Sequence, residues 1–142
     1  MIITRKRTFK ILSMALAFLL CLSLFSPIAS AEGSLYISSY TVSMTAGSNG
    51  NVTAWFQITG TSAMDQIGAV EVALFENGTI VKTFYYTSTP GMMTSNKNFY
   101  GSSVTYSGIV GRTYSAYVTF QAGKNGDWDN RGMDTTTVTA KN

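Results

Sequence analysis

The chain has no histidine, one cysteine and two prolines, and only 12% of its 142 residues are charged. Each scarcity removes a class of chemistry. Without histidine there is no Ser-His or Cys-His nucleophile pair, and the usual histidine-bearing zinc sites are excluded. A single cysteine, Cys21, closes no disulfide within the chain. It is also a poor lipid-attachment site, because Leu20 precedes it where a small residue is needed. Long hydrophobic runs are scarce too. The one that exists covers residues 11–25, about 15 residues, whereas a bilayer span needs about 20.

What surrounds that run gives it a different meaning. Arg5, Lys6, Arg7 and Lys10 precede it, Pro27 follows, and the small triplet Ala29-Ser30-Ala31 comes next. A basic region, a short apolar region and an A-x-A site together describe a secretory signal peptide. Cleavage is expected between Ala31 and Glu32, leaving residues 32–142 as one domain outside the cell, without membrane attachment. The cut removes four of the ten basic residues and leaves six against seven acids, a net charge of about −1. The formal +3 of the full chain therefore belongs to the leader. No nucleic-acid or anionic-membrane partner is expected. The mature chain has neither Cys nor His, and at 111 residues it is long enough to bury a core without covalent staples.

After residue 34 no helical period is sustained. Short stretches alternate apolar and polar residues between Gly, Asn and Ser, and Ser plus Thr account for 29 of the 111 mature residues. Seven strands are predicted, at 35–44, 51–59, 69–76, 79–86, 102–106, 114–121 and 134–140. A parity slip at Ser38-Ser39 predicts a bulge. Val52, Ala54, Phe56 and Ile58 should face inward and Trp55 outward. Val70, Val72 and Leu74 should be buried, with Phe75 outward, while Met64 and Ile67 plug an end of the core. Asn77-Gly78 is the strongest hairpin signal, and Lys82 should blunt an edge. Residues 123–132 are read as a ten-residue loop.

The segment Gly111-Arg112-Thr113-Tyr114-Ser115-Ala116-Tyr117-Val118 resembles the tyrosine corner of Greek-key sandwiches, with Tyr114 in the structural role. The strand order is similar to that of fibronectin type III and immunoglobulin-like domains. It departs from them in having no Cys pair, and in having Phe56 rather than Trp55 as the inward aromatic. Seven strands at roughly even spacing argue for an all-β sandwich, and the resemblance implies that this seven-stranded β-sandwich, which the signal peptide precedes, is Greek-key and Ig/fibronectin III-like. The chain also resembles a group of small uncharacterised proteins secreted by Gram-positive, clostridia-like gut bacteria. That likeness lies in Met64-Asp65-Gln66-Ile67-Gly68-Ala69, Val81-Lys82-Thr83-Phe84, Ser103-Val104-Thr105-Tyr106 and the run from Ala116 to Gly126. It implies secretion and a sandwich, and transfers no catalytic or binding residues.

The candidate recognition site is the 123–132 loop, where Trp128 offers a stacking platform and Asn125, Asp129 and Arg131 offer hydrogen bonds. The competing reading has Trp128 folded onto the core and Arg131 paired with Asp127 or Asp129. Asn125, Asp127 and Asp129 alternate as calcium ligands do, but Arg131 sits in the next alternate position and no Glu completes the set. A solvated turn is the preferred reading. Phe75 and Tyr117 share a sheet and an outward parity, which suits either an aromatic binding surface or simple cross-strand stabilisation. Asn77-Gly78-Thr79 matches a glycosylation sequon but serves its turn. A glycosidase needs two carboxylates across a cleft. Asp127 and Asp129 have no cleft walls, and Glu71 and Glu76 have opposite parity. The expectation is a non-catalytic, monomeric, extracellular binding module that needs no cofactor or metal. Its partner would be an extracellular protein or a glycan. The alternatives are a carbohydrate-binding module using Trp128, and a small inhibitor or effector that presents its loops to a target protein.

Overall fold

Asn-Gly occurs three times after residue 34, and each copy forms the tip of a hairpin in the computed structural model, which describes residues 35–142. At Asn49-Gly50, Asn77-Gly78 and Asn125-Gly126 both residues have positive φ, between 48° and 85°. That backbone hand matches the twist of antiparallel strands, and Asn and Gly adopt it at low cost. The signal-peptide assignment, with the cleavage pair Ala31 and Glu32, lies outside the described residues.

Among the described residues nine strands follow in order: β1 (Ile37–Ala46), β2 (Asn51–Met64), β3 (Gln66–Glu76), β4 (Thr79–Tyr85), β5 (Met93–Thr94), β6 (Lys97–Ser107), β7 (Thr113–Lys124), β8 (Asp127–Asp134) and β9 (Val138–Thr139). They form two antiparallel sheets. The smaller has the order β1-β2-β6. The larger has the order β4-β3-β7-β8, with β5 on β3 and β9 on β7. This is a β-sandwich, and its core takes one parity from each strand. Val52, Ala54, Phe56 and Ile58 of β2 meet Tyr114, Ala116, Val118 and Phe120 of β7, all eight at or below 1% exposure. Aromatic rings cross between the sheets. Phe56 meets Phe120 edge-on at 6.3 Å between centroids, and Tyr40 of β1 lies 5.3 Å from Phe120.

Several expectations hold. The pairing of β1 with β2 shifts register between Ile37 and Ser39, where the parity slip lies. Met64 and Ile67 are buried, although they lie not between strands predicted to end at 59 and begin at 69 but within them, β2 running on to Met64 and β3 starting at Gln66. Lys82 lies on β4, an edge strand, with its ammonium 5.7 Å from the Phe84 ring centre. Four expectations need correction, the first being the strand count, which is nine among the described residues and not seven. Val70 is not in the core. The β3–β7 register shifts between Ala69 and Glu71, so Ala69 takes the inward place and Val70 is left half-exposed at the irregularity. Residues 123–132 are not a loop. β7 runs to Lys124, Asn125-Gly126 turns, and β8 pairs back through Lys124↔Asp127 to Tyr117↔Asp134. The last strand predicted, 134–140, is accordingly split. Thr135 breaks the ladder, its Oγ1 accepting the Ala116 amide at 2.8 Å, and β9 resumes opposite Thr113 and Tyr114.

Tyr114 is fully buried and its hydroxyl is used twice. It accepts the Ile109 amide at 2.8 Å, closing the turn between β6 and β7, and donates to the carboxylate of Glu76 at the end of β3. Arg112 pairs with the other carboxylate oxygen. The bonds from Tyr114 and then Arg112 hold the Glu76 carboxyl below the usual glutamate range. Burial, followed by the glutamate, pushes the Tyr114 phenol up.

Tyr114→Phe keeps the ring but strands the Ile109 amide. It should lower unfolding free energy by on the order of 1 to 3 kcal/mol in urea titration at neutral pH. The same cluster carries a pH dependence. A carboxyl with a depressed pKa in the folded state contributes stability above its unfolded value, and loses it as pH falls through the folded one. The melting temperature of the native protein should therefore exceed that of Glu76→Gln at neutral pH, and the two should converge below the ordinary glutamate range near about 4.3.

Candidate functional site

Trp128, Asn125, Asp129 and Arg131 were expected on one loop, arranged around a ring. Strand alternation separates them. Trp128 is opposite Gly123, on the outward face of the larger sheet, whereas Asp129 and Arg131 are opposite Ala122 and Phe120, which face the core. Asp129 and Arg131 pair with each other at 3.0 Å, and the Asp129 carboxylate also accepts the Tyr36 amide at 3.3 Å. Asp127 accepts from the Tyr36 hydroxyl. Burial, and then these two acids, raise the Tyr36 phenol. Asn125 is the first of the two left-handed residues of the turn, and its backbone amide donates to Asp65 at 2.8 Å. These polar groups tether residue 36 and the β7–β8 hairpin to the body of the fold rather than framing Trp128. Among the described residues no three acidic, cysteine or histidine side chains stand together as metal ligands do.

Trp128 is 49% exposed, and its indole lies flat on Gly123, where a Cβ would fall 2.3 Å from the ring. Tyr117 repeats the arrangement across the same strand pair, its hydroxyl end over Gly132. Both are aromatic rings covering a glycine on the neighbouring strand, which restores the side-chain contact that the glycine lacks. Tyr117 thus leans toward β8, whereas Phe75 lies on β3, on the other side of β7. Glu71 and Asp134 also have outward parity on this face.

The smaller sheet presents a different outer face. Its rows read Thr45-Thr53-Thr105, Ser43-Trp55-Ser103 and Thr41-Gln57-Gly101 across β1, β2 and β6, with Phe99 next along β6 opposite Thr59. Trp55 and Phe99 are 49% and 51% exposed. Between them is a groove of about 580 Å³, lined also by Thr41, Ser43, Gln57 and Gly101. The indole N–H of Trp55 donates to Thr45 Oγ1 at 3.1 Å, which fixes the ring's orientation. Thr53 and Thr105 join hydroxyls at 2.9 Å beside it. Gly101 keeps the floor low. A Cβ there would lie 3.2 Å from Gln57 Cγ and 3.7 Å from Phe99 Cζ, so both side chains extend over the glycine. No ionisable side chain lines the groove.

The outward direction of Trp55 follows from the alternation of β2, but Phe99 was missed as a site residue. The expected fifth strand began at residue 102, and the Asn- and Lys-rich approach to it read as loop. The overlooked sign is the alternation of Tyr100, Val104 and Tyr106 with Phe99, Ser103 and Thr105, which extends the strand back to Lys97. Comparison with protein-family models, curated proteins and solved structures finds no match to this chain. The site therefore has to be argued from its own geometry.

The Trp128–Gly123 contact is testable by a double-mutant cycle. Gly123→Ala forces its methyl into the indole and should destabilise the protein by on the order of 1 to 3 kcal/mol. Adding Trp128→Ala removes the collision, so the two effects should be clearly non-additive in thermal unfolding.

Proposed function

We propose that the protein is a secreted, non-catalytic binding module of Greek-key, fibronectin type III-like topology, acting through the outer face of its smaller sheet. The sheet orders β1-β2-β6 and β4-β3-β7-β8 support the topology, as does the Tyr114 hydroxyl closing the turn before β7. The basic and apolar leader with its A-x-A site supports export with cleavage before Glu32. Membership of the clostridia-like secreted group is part of the same reading and rests on the stretches quoted above. One observation carries the binding assignment: two half-exposed aromatics, one held by a hydrogen bond, flank an open groove on an otherwise hydroxyl-rich face. Rigid aromatics of this kind bind at low entropic cost. For the absence of catalysis, the support is that Glu76, Asp129 and Asp65 are each engaged in structural contacts, away from the groove.

The test uses protein recovered from culture supernatant, which should begin at Glu32 or within a residue or two. It is applied to a panel of immobilised extracellular polymers, both polysaccharides and matrix proteins. Gly101→Arg fills the groove while its Cβ displaces only the flexible stem of Gln57. Retention on the polymer that binds the native protein should fall at least tenfold in Gly101→Arg and persist in Trp128→Ala. Retention that survives Gly101→Arg, or is lost only in Trp128→Ala, would move the site off this face.

A further inference from the structure

The Trp55–Phe99 groove also has a chemistry that selects its occupant, and the geometry points to a neutral oligosaccharide chain lying along the strands. This rests on the preceding assignment of the binding face and adds the class of ligand.

Charge is the first discriminator. The lining of the groove consists of aromatic rings, hydroxyls, one amide and backbone, without an ionisable group. Nucleic acids and uronic-acid or sulfated polysaccharides need cations to offset their charge, and this groove offers none. A basic peptide would need carboxylates, which are likewise absent from the lining. The acids with outward parity, Glu71 and Asp134, lie on the other sheet.

Polarity is the second. A lipid or apolar peptide would bury the Thr41, Ser43 and Gln57 side chains against groups that return no hydrogen bonds, which is costly. A sugar ring has the matching mixture. Its axial C–H face stacks on an aromatic ring, while its rim of hydroxyls both donates and accepts. Thr41 and Ser43 are donor and acceptor at once, and Gln57 supplies an amide of each sense. Trp55 stands between Ser43 and Ser103 in its row, and Phe99 is opposite Thr59, so each stacking position has polar groups beside it.

Length is the third. Register places Trp55 opposite Ser103, four residues along β6 from Phe99. Their backbone positions are therefore offset by about 13 Å along the strands, and Phe99 leans back over Gly101 toward the groove. One sugar does not bridge that offset. A short chain does, with one unit on the Trp55 indole and the next units crossing the Gln57 stem to the Phe99 ring, which covers Gly101. The ligand is thus a chain running parallel to β2 and β6.

The experiment is affinity electrophoresis and isothermal titration with neutral glucans, xylans, mannans and β-linked N-acetylglucosamine polymers, alongside polygalacturonate and heparin as anionic controls. At least one neutral polymer should bind, with affinity rising from monosaccharide to oligosaccharide. Binding should be unchanged by molar salt and by chelator. Trp55→Ala should abolish it, Trp55→Phe should retain part of it, and Phe99→Ala should weaken long chains far more than short ones. Circular dichroism of each variant establishes that it is folded. Binding confined to the anionic polymers, or a neutral polymer bound equally well by Trp55→Ala, overturns the assignment. If Gly101→Arg abolishes retention on a matrix protein while every neutral polysaccharide fails to bind, the face is right and the ligand class is wrong. If Gly101→Arg has no effect on any partner, the face itself is wrong.

Discussion

The fold depends on one buried hydroxyl. With no cysteine after residue 31, no covalent cross-link sets the two sheets against each other, and apolar packing by itself tolerates sliding. The Tyr114 hydroxyl is directional. It reaches the Ile109 amide at the far side of the turn from β6, and the Glu76 carboxylate at the end of β3, so one atom ties the crossing between sheets to the adjoining strand. Its ring meanwhile packs against Tyr106 of β6, 6.1 Å between centroids, and fills the core beside Val52 and Ala116. A glycine at 108 makes room, since a Cβ there would lie 2.7 Å from the ring.

Because each strand commits one parity to that core, the other parity is left free, and the two sheets have used it differently. On the larger sheet the outward aromatics Trp128 and Tyr117 are laid across glycines, which turns them into covers for the edge hairpin. On the smaller sheet the outward aromatics lie two rows apart, with Thr41, Gln57 and Gly101 between them and hydroxyl rows at and beyond Trp55. The same residue type therefore has two roles, decided by what lies opposite it. An indole opposite glycine is drawn down onto the sheet. An indole opposite serines has no glycine to cover, and its N–H is held by a threonine of the neighbouring strand.

Much of this was legible in the sequence where a period of two ran uninterrupted. The segment Val52-Ala54-Phe56-Ile58 against Trp55 and Gln57 could be assigned residue by residue, and so could Tyr114-Ala116-Val118-Phe120. Legibility failed where local composition competed with pairing. Residues 123–132 are rich in Gly, Asn and Asp and read as a loop, yet they hold an Asn-Gly tip as well formed as the one recognised at 77–78. Trp128 hid the reason, because its ring supplies the contact that makes Gly123 tolerable inside a strand. Val70 was misplaced by a register shift that a pattern of alternation cannot contain, since the shift belongs to the pairing with β7 and not to β3 alone. Phe99 lay before a strand start placed too late. The groove needed both facts, the outward Trp55 and the longer β6, and only one of them was readable.

The three Asn-Gly tips carry a chemical consequence beyond shape. A glycine nitrogen is the least hindered nucleophile the backbone offers to the side-chain carbonyl of the preceding asparagine, and ring closure there releases ammonia. Reopening leaves aspartate or, more often, a chain that runs through the side-chain carbon and is one atom longer. Such an extra atom does not fit a two-residue turn whose φ values are both positive. The dipeptides that turn the strands are thus also the places where the chain ages, and each modified tip adds negative charge to one end of a molecule that has little of it.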